Sequence, residues 1–165
     1  MKSVLVTLIV LILLLNPGIS FAQEELSQAT VSALVKKTDH IANIKERIQE
    51  RINLFFRFSN EAKADYQIEL AEKRLAEVFY VVENKKGDFV EETTSRYSTY
   101  LGRLTETITK SKLSNKKEET LKMLDNHKSV LNEIVKYFEA NSGFWLLVQH
   151  DINSIDIYKS QIEKI

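Results

Sequence analysis

The chain has 165 residues, 23 Lys+Arg against 23 Asp+Glu, and no cysteine. Balanced charge argues against a nucleic-acid partner, whose electrostatic footprint is a basic excess. Without cysteine there is no disulfide, no thiolate metal ligand, no Cys nucleophile and no lipid attached at an N-terminal Cys, so the core alone must hold the fold.

The first segment reads MKSVLVTLIVLILLLNPGISFAQEE. Lys2 precedes an apolar run from Val4 to Leu15, shorter than the roughly 18 to 20 residues that a bilayer-spanning helix needs. Pro17 and Gly18 interrupt the run, and Ser20-Phe21-Ala22 places small residues at the −3 and −1 positions of a cleavage site. The expectation is a cleaved signal peptide over 1–22 and a single helical-bundle domain over 23–165. The protein would be exported, whether periplasmic, cell-wall-associated or secreted, with no stable membrane span after cleavage. An uncleaved N-terminal anchor is the alternative.

Beyond Ala22 the glycines are Gly87, Gly102 and Gly143, and proline does not recur. Few turn residues and long apolar series at helical spacing predict an all-α fold, an up-and-down antiparallel bundle of four to five long helices. Leu26 to Lys37 reads as a short helix or an extension of the next one. Ile41, Ile44, Ile48, Ile52 and Phe55 then mark a stripe to be buried against neighbours. Phe55, Phe56 and Phe58 are expected to fill the corner between this helix and the following one, which Ser59-Asn60 caps.

The second long helix carries Ala64, Ile68, Ala71, Leu75, Val78 and Val82 on one side. Gly87 is expected to end it in the left-handed conformation, with Asp88 and Glu91 forming a capping box for the third. That helix carries Thr93, Tyr97, Tyr100 or Leu101, Leu104 and Ile108. Asn115 and Glu118 repeat the capping pattern before a fourth helix with Leu121, Leu124, Leu131, Val135 and Phe138. Asn141-Ser142-Gly143 precedes a fifth, with Val148, Ile152, Ile155, Tyr158, Ile162 and Ile165. A stripe shared between two subunits as a coiled coil fits the same spacing, so a homo-oligomer is a second arrangement.

His40, His127 and His150 each stand near acids, but none has a second His at i+3 or i+4 on its own helix, the spacing of a helical metal site. Acidic pairs such as Glu91-Glu92 fall in first helical turns, where they complement the helix dipole. Glu46 and Glu50 read as ordinary intrahelical partners of Arg47 and Arg51, and Glu69 of Lys73. No GxSxG or HExxH occurs and no Gly-rich phosphate loop, so no catalytic residue, metal ligand or cofactor site is assigned and enzymatic chemistry is not expected. Lys36, Lys37, Lys85 and Lys86 should gather at one bundle end, and Lys110, Lys112, Lys116 and Lys117 at the other. Either group could meet an anionic envelope ligand. Candidate partner contacts are Tyr97 and Tyr100 in the polar, aromatic face of EETTSRYST, and Phe144, Trp145 and Leu146 in FWLLV, where apolar residues cover every side of a turn.

One block carries a family likeness. Leu54-Phe55-Phe56-Arg57-Phe58, then Glu61-Ala62-Lys63-Ala64, then Leu70-Ala71-Glu72-Lys73-Arg74-Leu75-Ala76-Glu77 resembles the bacterial family of exported proteins known as domain of unknown function number 5667. The likeness is strongest over 54–78 and extends over about 41–108. Two features depart from the family pattern: Ser59-Asn60 stands where Asp-Pro is common, and the segment leading directly into the first helix carries no proline. The resemblance implies an exported helical domain and supplies no activity. The expectation for function is an exported helical interaction module, non-enzymatic, with an envelope or extracellular protein as partner. The alternative is an envelope-stress or ligand/metal sensor acting through a membrane partner.

Overall fold

Helices form where apolar residues recur at steps of three and four. A computed structural model describes Val35 and residues 38–165. The expected signal segment, nearly all of the short helix expected over 26–37, and Lys36 and Lys37 lie outside the described residues. The helices are α1 (Ile44–Phe55), α2 (Asn60–Glu83), α3 (Val90–Ser111), α4 (Ser114–Ile134) and α5 (Gly143–Ile162), with 3₁₀ turns at Gly87–Phe89 and Val135–Tyr137. Among the described residues there is no strand, and the fold is an all-α bundle.

The helix ends show which local signals acted. Asn43 caps α1 in a full capping box: its side chain accepts from the Glu46 N–H at 3.0 Å, and Glu46 Oε2 accepts from the Asn43 N–H at 2.8 Å. Ser59 caps α2 through the Ala62 N–H, as expected. Gly87 does not end α2. The left-handed residue is Lys85, with φ 53°, and the Lys86 N–H reaches Val81 O while the Lys85 N–H reaches Val82 O. This is the paired closure of a Schellman motif, reached without glycine two residues earlier than the sequence suggested. The α3–α4 corner repeats it, with Lys112 at φ 49° and the buried Leu113 bonded back to Ile108 O. Neither Asp88 nor Asn115 caps a helix; α3 and α4 begin without a side-chain cap. Ser142 caps α5 through the Trp145 N–H.

Four helices make the core, and cross-helix contacts give their directions. Arg74 faces Tyr100 and Glu77 faces Arg96, so α2 and α3 run antiparallel. Lys128 pairs with Asp156 and Lys159 with Asp125, so α4 and α5 do as well. Ser98 meets Asp151 and Gly102 lies under Tyr158, so α3 and α5 run parallel. Successive helices alternate in direction, but the chain crosses the bundle between α3 and α4 and so creates parallel neighbours. The stripes of α2, α3 and α5 are buried as their spacing requires: Ala64, Ala71, Val78, Leu101, Ile108, Val148 and Ile155 are closed to solvent.

α1 breaks the pattern. The residue it buries is Glu50, while Ile44, Ile48, Ile52 and Phe55 are 74%, 51%, 46% and 77% exposed. Its stripe is therefore not core, and the expected burial is corrected. The corner phenylalanines are corrected with it: Phe56 and Phe58 are 61% and 86% exposed and fill no wedge.

Candidate functional site

The orientation of α1 follows from charge. Arg74, fully buried on α2, donates from Nη1 to Glu77 Oε1 at 2.5 Å and from Nη2 to Glu50 Oε2. Lys73 Nζ reaches the other Glu50 oxygen at 2.8 Å. Arg96 on α3 lies 3.9 Å from Glu77 Oε2 and pairs with Glu92. Burial works against the Arg74 charge, but the hydrogen bond and charge of Glu77 and the charge of Glu50 hold its pKa above the ordinary value. The Tyr100 ring lies against the guanidinium, 4.9 Å from centroid to carbon. Three cations and three carboxylates thus join α1, α2 and α3. The chain before α1 is tied to the same group, for the Ala42 N–H donates to Glu77 Oε1 at 3.1 Å and Arg96 Nη1 donates to Ala42 O at 3.5 Å.

With 3.6 residues per turn, the side of α1 opposite Glu50 is the one carrying Ile44, Ile48, Ile52 and Phe55. Lys45 borders this stripe on one side, and Arg51 and Arg47 border it on the other. None of these three cations has an ion-pair partner among the described residues. The acids of α1 are engaged elsewhere: Glu50 inward on Arg74, and Glu46 with His40 Nε2 at 2.9 Å and the Asn43 N–H. The expected pairing of these acids with Arg47 and Arg51 is replaced by these contacts. Arg57, just past the helix, stacks on Tyr66 at 5.1 Å. The outer face of α1 is therefore an apolar strip between cations, continued by Phe56 and Phe58. Beside the anchor lies a groove of about 370 Å³ lined by Thr38, Glu50, Tyr66, Glu69, Leu70, Lys73 and Ala76.

The other candidates fall elsewhere. Tyr97 is fully buried, its hydroxyl 3.1 Å from His127 Nδ1, which corrects its assignment as a partner contact. The hydroxyls around it are absorbed by their own helix, since Thr93 and Thr94 each donate to the carbonyl four residues back at 2.8 Å. Tyr100 is half-buried between Arg74 and Arg103. Phe144 packs on Phe138 at 5.6 Å and remains 40% exposed, Trp145 is half-buried and Leu146 is exposed. The lysines expected to form end clusters are largely occupied: Lys86 stacks on Tyr80, Lys110 pairs with Glu106, Lys116 with Asp65 and Glu119, and Lys117 with backbone oxygens of the C-terminus.

His40 bonds Asp39 at 2.5 Å as well as Glu46, and the Asp39 bond foremost raises its pKa. Among the described residues no group of three or more His, Cys, Asp or Glu side chains converges as a metal site.

Local spacing concealed a second buried polar group. Asp151 on α5 is closed to solvent, accepts from Ser98 Oγ and leaves Oδ2 without a partner. Burial pushes its pKa up to about 7, and burial also pushes His127 down to about 4. The clue to Asp151 in the sequence is its position one residue before Ile152, three from Val148 and four from Ile155, inside the apolar stripe.

The model of DUF5667, a domain of unknown function, matches residues 44–134, from the first residue of α1 to the last of α4. The match reaches beyond the 41–108 expected from resemblance and takes in α4. Neither a curated protein nor a solved structure matches the chain. With more than half of its length matched, the chain belongs to the DUF5667 family.

Proposed function

We propose that this chain is an exported interaction module that works by contact, not by catalysis, and that the outer face of α1 is its contact surface. The observation that carries this reading is the inversion of α1: it meets the bundle through a buried ion pair and turns four large apolar side chains outward. An exposed apolar strip of this kind is uncommon on a monomer and marks a binding surface. The signal-like segment before Gln23 supports export, and the lack of a GxSxG or HExxH motif supports a non-catalytic role. Among the described residues no helix is long and apolar enough to cross a membrane.

The test places a photo-cross-linking amino acid at Ile48 or Phe55, and at Ile157 on α5 as an exposed apolar control, in the living host. Adducts from the α1 positions and none from Ile157, on a chain whose mass begins at Gln23, are the expected result. Equal yields from both faces, or none from α1, overturn the assignment. A ligand sensor is the second reading, favoured by the groove beside Glu50 and Lys73, where an occupant would touch the anchor of α1. A small adduct retained in native mass spectrometry and lost in Lys73→Ala would favour it.

A further inference from the structure

We infer that α1 is an interfacial helix that lies on an anionic lipid surface; this rests on α1 being the contact face. The argument is one of complementarity. A helix bound in the plane of a membrane needs an apolar strip for the acyl boundary and cations beside it at headgroup level. α1 has both, with Ile44, Ile48, Ile52 and Phe55 between Lys45 on one side and Arg47 and Arg51 on the other. Long cationic side chains at such flanks keep their stems on the apolar phase and their charges in the headgroups.

The acids of α1 that would repel phosphate are withdrawn. Glu50 is buried on Arg74, and Glu46 is held by His40 and the Asn43 N–H. Phe56 and Phe58 extend the apolar surface past the helix end, where Arg57 supplies another cation. A second copy of the chain suits the face less well. Two such strips pressed together would bring the flanking cations of both copies into one interface with neither acid of α1 free to meet them. A soluble anionic polymer would satisfy the cations and leave the apolar strip in water.

The absence of cysteine makes the test site-specific. The protein as its host makes it carries Phe58→Cys or Ile157→Cys, each labelled with an environment-sensitive fluorophore. It is titrated with vesicles of phosphatidylglycerol and phosphatidylethanolamine, or of phosphatidylcholine alone. The label at 58 should shift to the blue with anionic vesicles and be quenched by brominated acyl chains, while the label at 157 should not change. Ile48→Glu should weaken binding by about tenfold or more, since it puts a charge where an apolar side chain is buried. Lys45→Glu with Arg51→Glu should weaken it by at least a similar factor, given about fivefold per cation at an anionic surface. These positions are exposed, so unchanged thermal unfolding separates lost binding from lost folding.

No shift at 58, an equal shift at 157, or undiminished binding by Ile48→Glu overturns the lipid assignment. So does a shift with soluble polyphosphate and none with vesicles, or a dimer in sedimentation that Ile48→Glu dissociates. Cross-links from Ile48 to a protein in the host, with no vesicle binding, would retain the contact face and refute the lipid.

Discussion

Two buried titratable groups should oppose each other in the pH dependence of folding. His127 has its pKa lowered from 6.5 to about 4 by burial, so between those values the unfolded chain holds a proton that the folded chain does not. Stability from this group is full above 6.5 and is lost as pH falls through about 4. Asp151 is the reverse case, raised from 3.8 to about 7 by burial. Its contribution is full below 3.8 and is lost as pH rises through about 7. At ~1.4 kcal/mol per pKa unit, the first effect is about 3 kcal/mol and the second about 4 kcal/mol, both as orders of magnitude. From about pH 4 to 6.5 they nearly cancel. Asp151→Asn removes the falling component, so its stability relative to wild type should climb by about 4 kcal/mol between pH 4 and 7. His127→Gln removes the rising component and should fall relative to wild type by about 3 kcal/mol over nearly the same range. Urea unfolding followed by far-UV circular dichroism at each pH measures both differences, and all other titrating groups drop out of the comparison. Parallel curves for Asp151→Asn and wild type would refute the buried, protonated carboxyl.

Other outcomes test the anchor and the helix ends. Arg74→Met should cost about 3–5 kcal/mol, because it leaves Glu50 and Glu77 buried without their shared cation. Adding Glu50→Met and Glu77→Gln should recover most of that loss in thermal unfolding; no recovery would mean that packing, not uncompensated charge, was lost. Lys85→Gly and Lys112→Gly should each gain about 1 kcal/mol, since both positions hold a left-handed backbone that a side chain disfavours. A loss in urea unfolding at either position would refute that conformation. The amides of α1, which buries a single side chain, should exchange at least about a hundredfold faster than those around Val78 in α2. Equal protection in a hydrogen-exchange experiment would show α1 to be integral to the core.

How much of this was legible depended on whether the deciding partner was local. The stripes of α2 and α3 could be read because apolar spacing and burial coincide there, and Ser59 because a cap acts within its own turn. The α1 stripe misleads because its spacing is equally regular, while the partner of Glu50 is 24 residues away at Arg74. In sequence Glu50 looks like one more solvated acid, and Arg74 like one charge among several on an outer face. Tyr97 misleads for a related reason. Its neighbouring threonines look polar, yet their hydroxyls are satisfied by the helix backbone and need no water. Gly87 drew the helix end to itself because glycine is the common choice, whereas the bonds closing α2 required a left-handed residue at 85.

The inversion of α1 joins the fold to the proposed contact face. Turned about its axis, α1 would bury Ile44, Ile48, Ile52 and Phe55, each worth roughly 1.5–3 kcal/mol when fully removed from water. The same turn would carry Glu50 into solvent and leave Arg74, closed to solvent, without one of its two carboxylates. Breaking such a buried pair costs about 3–5 kcal/mol, and the Glu77 contact with Ala42 fixes the chain just before α1, which limits any rotation. Packing the stripe inward also needs an apolar seat, and the groove beside α2 offers Leu70 and Ala76 among Glu69, Lys73 and the Tyr66 phenol. The polar anchor, the tether at Ala42 and the partly polar seat together hold one orientation of α1, and the apolar strip faces outward as a consequence. Burial of that strip is then available to whatever α1 meets, and the cations on either side of it determine the charge of that surface.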